Sequence, residues 1–474
     1  MKALILLPIF LSAQIICAQP QAVTNDRLEI LDQYLSKQEG LSGIFMIANS
    51  EKIIYNKGFG YSDRANKVPY SDQTLFTIGS ITKPFTATAI MLLMENGKIK
   101  TDQFITDFFE NVPKNKSGIT VHHLLTHSSG LPGAIGDDYE AISAEEFQNR
   151  AWQQQLLFSP GEGYEYSNVG YSLLGMIVEK LSGEKYNDFL LKHIFSTAGM
   201  TTAGYTNANA DYTRLAHGYL PDGTDTGTSK NKLWNGDEPY WHLKSNGGLL
   251  MSSKDMYQWY LALRNNKVLK PETLKIQLTP YVDEGGGSHY GYGYAVTPGS
   301  VQHNGGNRIF KADFRWFPEK DYFFFSASND ANVKLFRIND EILRILEGEK
   351  PAEPTTWITM SEEDFLKKDY YGTVSSFMKV LKEFSLAAIT TFIDQHCSPE
   401  IIERNGREKL IQVFERVSGD TGKNKADGIS YSSSETNRIM LTYPGPEHNS
   451  KLKITMNIID SKYIEKLNVE MEGM

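Results

Sequence analysis

The chain runs to 474 residues, 40% of them hydrophobic, with 48 basic against 57 acidic side chains and a net charge of −9. That length is too great for one small core and predicts two or three folded units, while the acidic balance argues against a nucleic-acid partner. Met1-Lys2, an apolar run from Ala3 to Leu7 and the small residue Ala18 read as a signal peptide over residues 1–18, too short to span a bilayer. Its removal leaves Cys397 as the one cysteine, so a periplasmic or secreted chain could form no internal disulfide. No later stretch is long and apolar enough to be a transmembrane segment.

A helical spacing of Leu28, Leu31, Tyr34 and Leu35 precedes two strand-like runs, residues 42–48 and 52–59, joined by the turn Asn49-Ser50-Glu51. Phe76-Thr77-Ile78-Gly79 then delivers a short apolar run to Ser80-Ile81-Thr82-Lys83, where the helical pattern of Phe85, Ala89, Leu92 and Leu93 begins. One helical turn sets the Ser80 hydroxyl beside the Lys83 amine. A desolvated lysine can take the proton that makes a serine nucleophilic. Gly79 permits a tight turn, and the free N–H groups of a new helix point at the serine oxygen. Pro84 is tolerated in a first turn. Ser-x-x-Lys recurs at 182/185, 229/232, 376/379 and 450/453, but only Ser80 lies between an apolar run and a helix start. A helix-capping serine with a solvated lysine is the alternative reading of the tetrad.

His123 and His127 stand four apart, the helical spacing of two zinc ligands. They lack the glutamate of His-Glu-x-x-His, and no metal site is predicted. The turn-rich Pro160-Gly161-Glu162-Gly163 leads into Tyr166-Ser167-Asn168. A phenol beside Lys83 could share the base role and later protonate a leaving group. The Asn168 amide could donate to a substrate carbonyl or engage Lys83. Tyr205-Thr206-Asn207 repeats the spacing, but an apolar turn tyrosine of this kind packs. Gly291-Tyr292-Gly293-Tyr294 leads into no helical pattern, so it reads as a strand edge beside the pocket and not as a dinucleotide loop. Val301-Gln302-His303-Asn304-Gly305-Gly306 ends a strand on glycines, which expose main-chain N–H groups. Those of Ser80 and Gly306 could form an oxyanion hole.

Residues 312–317 and 322–327 predict a second hairpin around Pro318-Glu319-Lys320-Asp321, and a helix follows over 333–346. Strands from the two ends of this region are expected to meet in one sheet, with the middle inserted as a helix-rich lobe. Residues 348–358, charged and carrying two prolines, read as a linker. In the tail, residues 359–474, Ser361 caps a helix, helical patterns run to Val417, and strands come last. Leu452, Ile454, Met456 and Ile458 alternate with polar residues there, as in a half-exposed sheet. Helices first and strands after predict a separate small α+β domain.

Ser80-x-x-Lys83, Tyr166-x-Asn168 and His303-Asn304-Gly305, in this order, resemble the serine β-lactamase and penicillin-binding-protein superfamily. They look most like its class C β-lactamase-related branch, which uses Tyr-x-Asn as the middle motif. The runs Leu124-Leu125-Thr126-His127-Ser128-Ser129-Gly130-Leu131-Pro132 and Gly247-Gly248-Leu249-Leu250-Met251-Ser252 resemble that branch too. The resemblance covers residues 22–347 and implies an α+β, β-lactamase/transpeptidase-like fold, an antiparallel sheet flanked by helices with an inserted helical lobe. It implies Ser80 as nucleophile, Lys83 and Tyr166 as its base pair, and Asn168, His303, Gly305 and Gly306 as substrate or oxyanion positions. It implies neither metal nor cofactor, and a small-molecule or peptide substrate, cell-wall material being one source. The tail is similar to the appendage of some members.

One departure matters. Penicillin-recognising members carry Lys-Thr-Gly where this chain has His303-Asn304-Gly305, and histidine is largely neutral near pH 7. The substitution resembles esterase and D-aminopeptidase relatives, with Arg308 a candidate to restore the charge. The expected activity is hydrolysis of an ester or amide through a Ser80 acyl-enzyme. D-alanyl-D-alanine carboxypeptidase or β-lactamase activity is the alternative, and a penicillin-binding sensor without turnover is the reading from another class.

Overall fold

The computed structural model describes residues 23–230, 238–351, 357–383, 385–421, 424, 426–432, 437–444 and 451–472. The signal peptide expected over residues 1–18, Lys232, Ser450 and residues 352–356 of the expected linker lie outside them. The chain divides into two compact units. One takes the chain up to Tyr219 together with Asp225–Glu349, and the other Lys350 onwards with the short turn Leu220–Thr224.

In the first unit, eight strands build one antiparallel sheet: β1 (Gly43–Ala48), β2 (Ile53–Phe59), β3 (Val282–Gly285), β4 (Ser288–Tyr290), β5 (Ala295–Thr297), β6 (Ser300–Gly306), β7 (Lys311–Phe317) and β8 (Tyr322–Ser328). Their order is β2-β1-β8-β7-β6-β5-β4-β3. The two ends of the sequence meet where β1 pairs with β8, with Ile44 opposite Ala327. The helices that matter most are α1 (Asn25–Ser36), α2 (Thr82–Glu95), α3 (Val121–Leu125), α4 (Asn168–Ser182), α5 (Ser253–Arg264) and α6 (Leu335–Leu346). Strand β8 is buried along its whole length. Leu31 and Leu35 of α1 and Ile342 of α6 pack with Phe45 and Phe324 on one face of the sheet. On the other, Tyr260 of α5 stacks on Phe323 at 5.1 Å. A strand covered on both faces reads as a continuous apolar run, as Tyr-Phe-Phe-Phe does here.

Leu220–Thr224 apart, the described residues between β2 and β3 form the inserted, helix-rich region. Every residue of α2 from Thr82 to Met91 is buried, and a helix enclosed on all sides is a core helix. It packs beside α4, itself buried from Val169 to Val178. The site is built where this helix pair meets the open end of β6.

The tail unit holds helices Glu362–Leu366, Tyr371–Glu383, Leu386–His396, Pro399–Asn405 and Arg407–Thr421. Its sheet has five antiparallel strands in sequence order: Trp357–Thr359, Gly428–Ser432, Arg438–Pro444, Lys451–Ile459 and Tyr463–Glu472. Leu452, Ile454, Met456 and Ile458 all face its core with Phe377, Phe392 and Phe414. The helices-first reading needs one correction. A strand precedes the helices and pairs with Gly428–Ser432, Thr359 lying opposite Ser430. Three residues beside the prolines of a linker carry too little periodicity to mark a strand, so residues 357 and 358 belong to the sheet and not to the linker.

Candidate active site

Ser80 is delivered by a short strand. Phe76 and Thr77 pair with Met251 and Leu250, and the Ile78 N–H donates to the Leu249 carbonyl at 3.0 Å. The chain then enters a 3-10 turn, Gly79–Ile81, and α2. Gly79 has φ +52°, and a Cβ on it would lie 2.4 Å from the Gly306 nitrogen. A Cβ on Gly305 would lie 2.0 Å from the Ile78 carbonyl oxygen and 2.7 Å from the Ser80 nitrogen. The end of β6 and the Ser80 turn therefore run backbone to backbone, a closeness that only glycine at both positions allows. Ser80 and Gly306 line the same cleft.

Lys83 is fully buried. Burial pulls its amine well below the ordinary lysine range, the charge of Asp138 working the other way. Its Nζ donates to Asn168 Oδ1 at 2.7 Å and to the Asn246 carbonyl at 2.9 Å, and lies 3.1 Å from Ser80 Oγ. A neutral amine has two hydrogens and one lone pair. The two carbonyl oxygens take the hydrogens, which leaves the lone pair for the Ser80 hydroxyl. Tyr166 hydrogen-bonds to Ser80 as well, and its ring centre is 4.6 Å from Lys83 Nζ. Burial raises the Tyr166 phenol, the bond to Ser80 opposing it, so the hydroxyl keeps its proton at neutral pH.

Asn168 begins α4, where Ser167 Oγ accepts from the Gly170 N–H at 3.1 Å. Its side-chain oxygen is committed to Lys83, leaving the amide NH2 for the cleft that Asn168 lines. Asn246 is held in turn by its own amide, which donates to Ser172 Oγ at 2.9 Å and to the His242 carbonyl at 2.8 Å. Tyr205, the sequence decoy, is a buttress of this loop. Its hydroxyl donates to the Gly247 carbonyl at 2.7 Å and accepts from the Ser245 N–H at 2.9 Å. Another decoy, Ser182, bonds back to the Val178 carbonyl at 2.7 Å in the last turn of α4.

His303 is the main surprise. Its Nδ1 can only donate to the Asn304 carbonyl, 2.5 Å away, so Nε2 accepts from the Tyr290 hydroxyl at 2.9 Å. Burial and the nearby Lys83 charge push the imidazole down to about 3, against the Asn304 bond. The sequence reading makes His303 a hydrogen-bonding group for substrate. In the fold both ring nitrogens are taken by protein partners, and the residue supports Tyr290 and the β6 backbone instead. Arg308 is exposed on the turn after β6 and lines neither of the two cavities beside the site.

The helical spacing of His123 and His127 also fails. Helix α3 ends at Leu125, and His127 sits beyond it with φ +58°. His123 closes the helix cap by accepting from the Thr120 N–H at 3.1 Å. His127 Nδ1 accepts from the Ser167 N–H at 2.9 Å, and its ring lies 4.3 Å from that of Tyr166 and 4.5 Å from that of Tyr290. It holds the Tyr166-Ser167-Asn168 segment in place. Among the described residues, no group of acidic, histidine or cysteine side chains could hold a metal ion. Asn246, Tyr290 and Asp138 escape sequence reasoning: the first acts through its main chain, and Asp138 lies in a loop without periodicity.

Two cavities flank the nucleophile. One is lined by Ser80, Asn168, Asn246, Gly306 and Asp138, the other by Tyr166, His303, Tyr290, Asn304 and Glu284. Residues 29–347 match the Beta-lactamase family. Over 339 residues the chain is 32% identical to the putative penicillin-binding protein PbpX of Bacillus subtilis (strain 168), covering 70% of this chain and 82% of that protein. The D-amino acid amidase from Ochrobactrum anthropi SV3 gives a TM-score of 0.58 at 25% identity, over 68% of this chain and 99% of the amidase. The octameric penicillin-binding protein homologue from Pyrococcus abyssi gives 0.63 at 22% identity over 95% and 94% of the two chains, a likeness of fold. Because the family match takes in Ser80, Lys83, Tyr166, Asn168 and the His303 strand together, the protein belongs to the Beta-lactamase family of serine hydrolases.

Proposed function

We propose that this protein is an exported serine hydrolase that cleaves an ester or amide through an acyl-enzyme on Ser80. The observation that carries the reading is the Lys83 amine, dry and bonded to two carbonyl oxygens with Ser80 Oγ as its third neighbour. In the reaction, Oγ attacks the substrate carbonyl carbon while the Ser80 proton passes to the Lys83 lone pair. The Ser80 and Gly306 amides hold the oxyanion, a contribution of ~3 kcal/mol per donor. When the bond to the leaving group breaks, Tyr166 gives that group its phenolic proton and is reprotonated from Lys83. Water then attacks the ester on Oγ, its proton returns through the same pair to Ser80, and the acid leaves.

His303 is neutral, Arg308 lies away from both cavities, and Arg315, which lines the second, is already ion-paired with Asp313 and Asp340. Among the described residues no uncommitted cation in either cavity awaits a substrate carboxylate, which favours esters and simple amides over β-lactams and carboxypeptidase substrates. The amino-terminal sequence supports export to a periplasmic or extracellular compartment. The test is a panel of chromogenic short-chain esters, D-amino-acid amides and a chromogenic cephalosporin, beside Ser80→Ala. Ester hydrolysis should exceed cephalosporin hydrolysis, and the mutant should lose both turnover and fluorophosphonate labelling. Undiminished labelling of the mutant overturns the assignment, and a burst without turnover makes the protein a sensor.

A further inference from the structure

The cleft beside Ser80 has one charged side chain among the described residues that line it, the carboxylate of Asp138. No lysine, arginine or histidine shares that lining; the neighbours that can hydrogen-bond are neutral, chiefly Asn168, Asn246 and Asn307. Asp138 is half-buried, and among the described residues no basic side chain is ion-paired with it. A carboxylate drawn partly out of water without an ion-pair partner is costly to the protein and attracts a cation strongly.

The two cavities divide the substrate. Ser80, Gly79 and Gly306 line the Asp138 cleft, whereas Tyr166 lines the neighbouring cavity with His303. Since Tyr166 protonates the leaving group, that group departs on the His303 side and the acyl group lies on the Asp138 side. Resting on the Ser80 acyl-enzyme reading, we propose that Asp138 selects acyl groups with a positive charge near the carbonyl, making the substrates aminoacyl esters or amides with a free ammonium group.

The same arrangement couples binding to chemistry. Asp138 holds the Lys83 proton more tightly, while burial and the charge of Asp137 raise the Asp138 carboxyl, with Lys83 opposing them. An empty cleft therefore works against the neutral amine that the reaction needs. A substrate ammonium against Asp138 cancels its field at Lys83, so the matching acyl group favours the neutral amine further.

The test compares alanine methyl ester with N-acetylalanine methyl ester, in both chiral forms at pH 7, in the native protein and Asp138→Asn. The native protein should prefer the free-amine ester by about tenfold or more in kcat/KM, the effect of a hydrogen bond to a charged group. Asp138→Asn should lower that ratio about tenfold. A native ratio near one, or a loss of both esters in equal proportion, overturns the proposal; the second outcome would make Asp138 a tuner of Lys83 alone. Protection of Ser80 from fluorophosphonate by 1-aminoethylboronic acid against ethylboronic acid reads the cleft without turnover. The amino compound should protect at about tenfold lower concentration, and Asp138→Asn should erase the difference. Equal protection sinks the ammonium assignment only, whereas absence of any labelling at Ser80 removes the acyl-enzyme reading and the proposal with it.

Discussion

The main-chain carbonyl of Asn246 accepts from Lys83 Nζ at 2.9 Å, so the loop from Ser245 to Gly248 is part of the base. With Asn168 Oδ1 taking the other hydrogen, the lysine has one orientation, and its lone pair has one direction. The amine is set by two acceptors from separate elements, α4 and this loop.

The first prediction follows from that arrangement. Lys83→Ala should lower kcat by ~10²–10⁴-fold with little change in KM, and Tyr166→Phe should do likewise. Because the two groups handle one proton, the double mutant should be little worse than the worse single one. In the native protein kcat/KM should rise with pH as Lys83 loses its proton, well below the ordinary 10.5, and fall only where the raised Tyr166 phenol ionises. A rising limb at the ordinary lysine value, or additive losses in the double-mutant cycle, would contradict the shared proton path.

Gly305→Ala should be nearly inactive while remaining folded. Its methyl group would sit 2.0 Å from the Ile78 carbonyl oxygen, so β6 and the Ser80 turn must separate. Misplacing one oxyanion donor costs ~10²–10³-fold in kcat. Circular dichroism, kcat and the rate of fluorophosphonate labelling decide it, and an unchanged kcat would remove the Gly306 amide from the site.

His303 should make the protein acid-sensitive. Its imidazole is held neutral down to about 3 when folded, whereas an exposed histidine binds a proton near ~6.5. A folded value below the unfolded one means that this contribution to stability is complete above pH ~6.5 and is lost progressively as pH falls towards 3. The melting temperature should therefore decline on acidification below pH ~6.5, and His303→Gln should flatten part of the decline. The remainder belongs in part to buried His127, which is also lowered well below its usual range. The ratio of ester to cephalosporin turnover should show no step near pH 6.5, since His303 does not titrate there.

Truncation after Gly348 should leave hydrolysis of a small ester intact. Every residue of the site lies before that point, and the tail unit has its own core around Phe377, Phe392 and Phe414. Complete loss of activity in a truncated protein that keeps its circular dichroism would show that the tail shapes the cleft.

Sequence reading works at this site where function is a side chain in a periodic element. Ser80 and Lys83 are one turn apart at the start of an apolar helix, and Asn168 opens another with Tyr166 just before its cap, so spacing brings both pairs to notice. It stops where the main chain acts. Asn246 contributes a carbonyl, and any residue at that position would bear one. The identity of His303 is visible, but its tautomer depends on its Tyr290 partner, which β4 brings to it across β5, a placement that no local pattern contains. His127 misleads because a left-handed residue follows the short helix α3, breaking the period its spacing suggests. The large sheet is legible through the apolar run of β8 and the two hairpins, whereas the edge strand Trp357–Thr359 is too short to leave a trace.

The pairing of Ile44 with Ala327 has a consequence for how the chain is made. Strand β1, Gly-Ile-Phe-Met-Ile-Ala, is buried at every position once folded, yet its neighbour β8 is synthesised almost three hundred residues later. Until then the β1–β2 hairpin is a sticky ribbon with an unsatisfied edge, while the intervening helices can already close on themselves. Non-local pairing of this kind slows folding and prolongs exposure to self-association. A ribosome-bound or translocating chain should thus depend on a holding chaperone until Ser328 emerges.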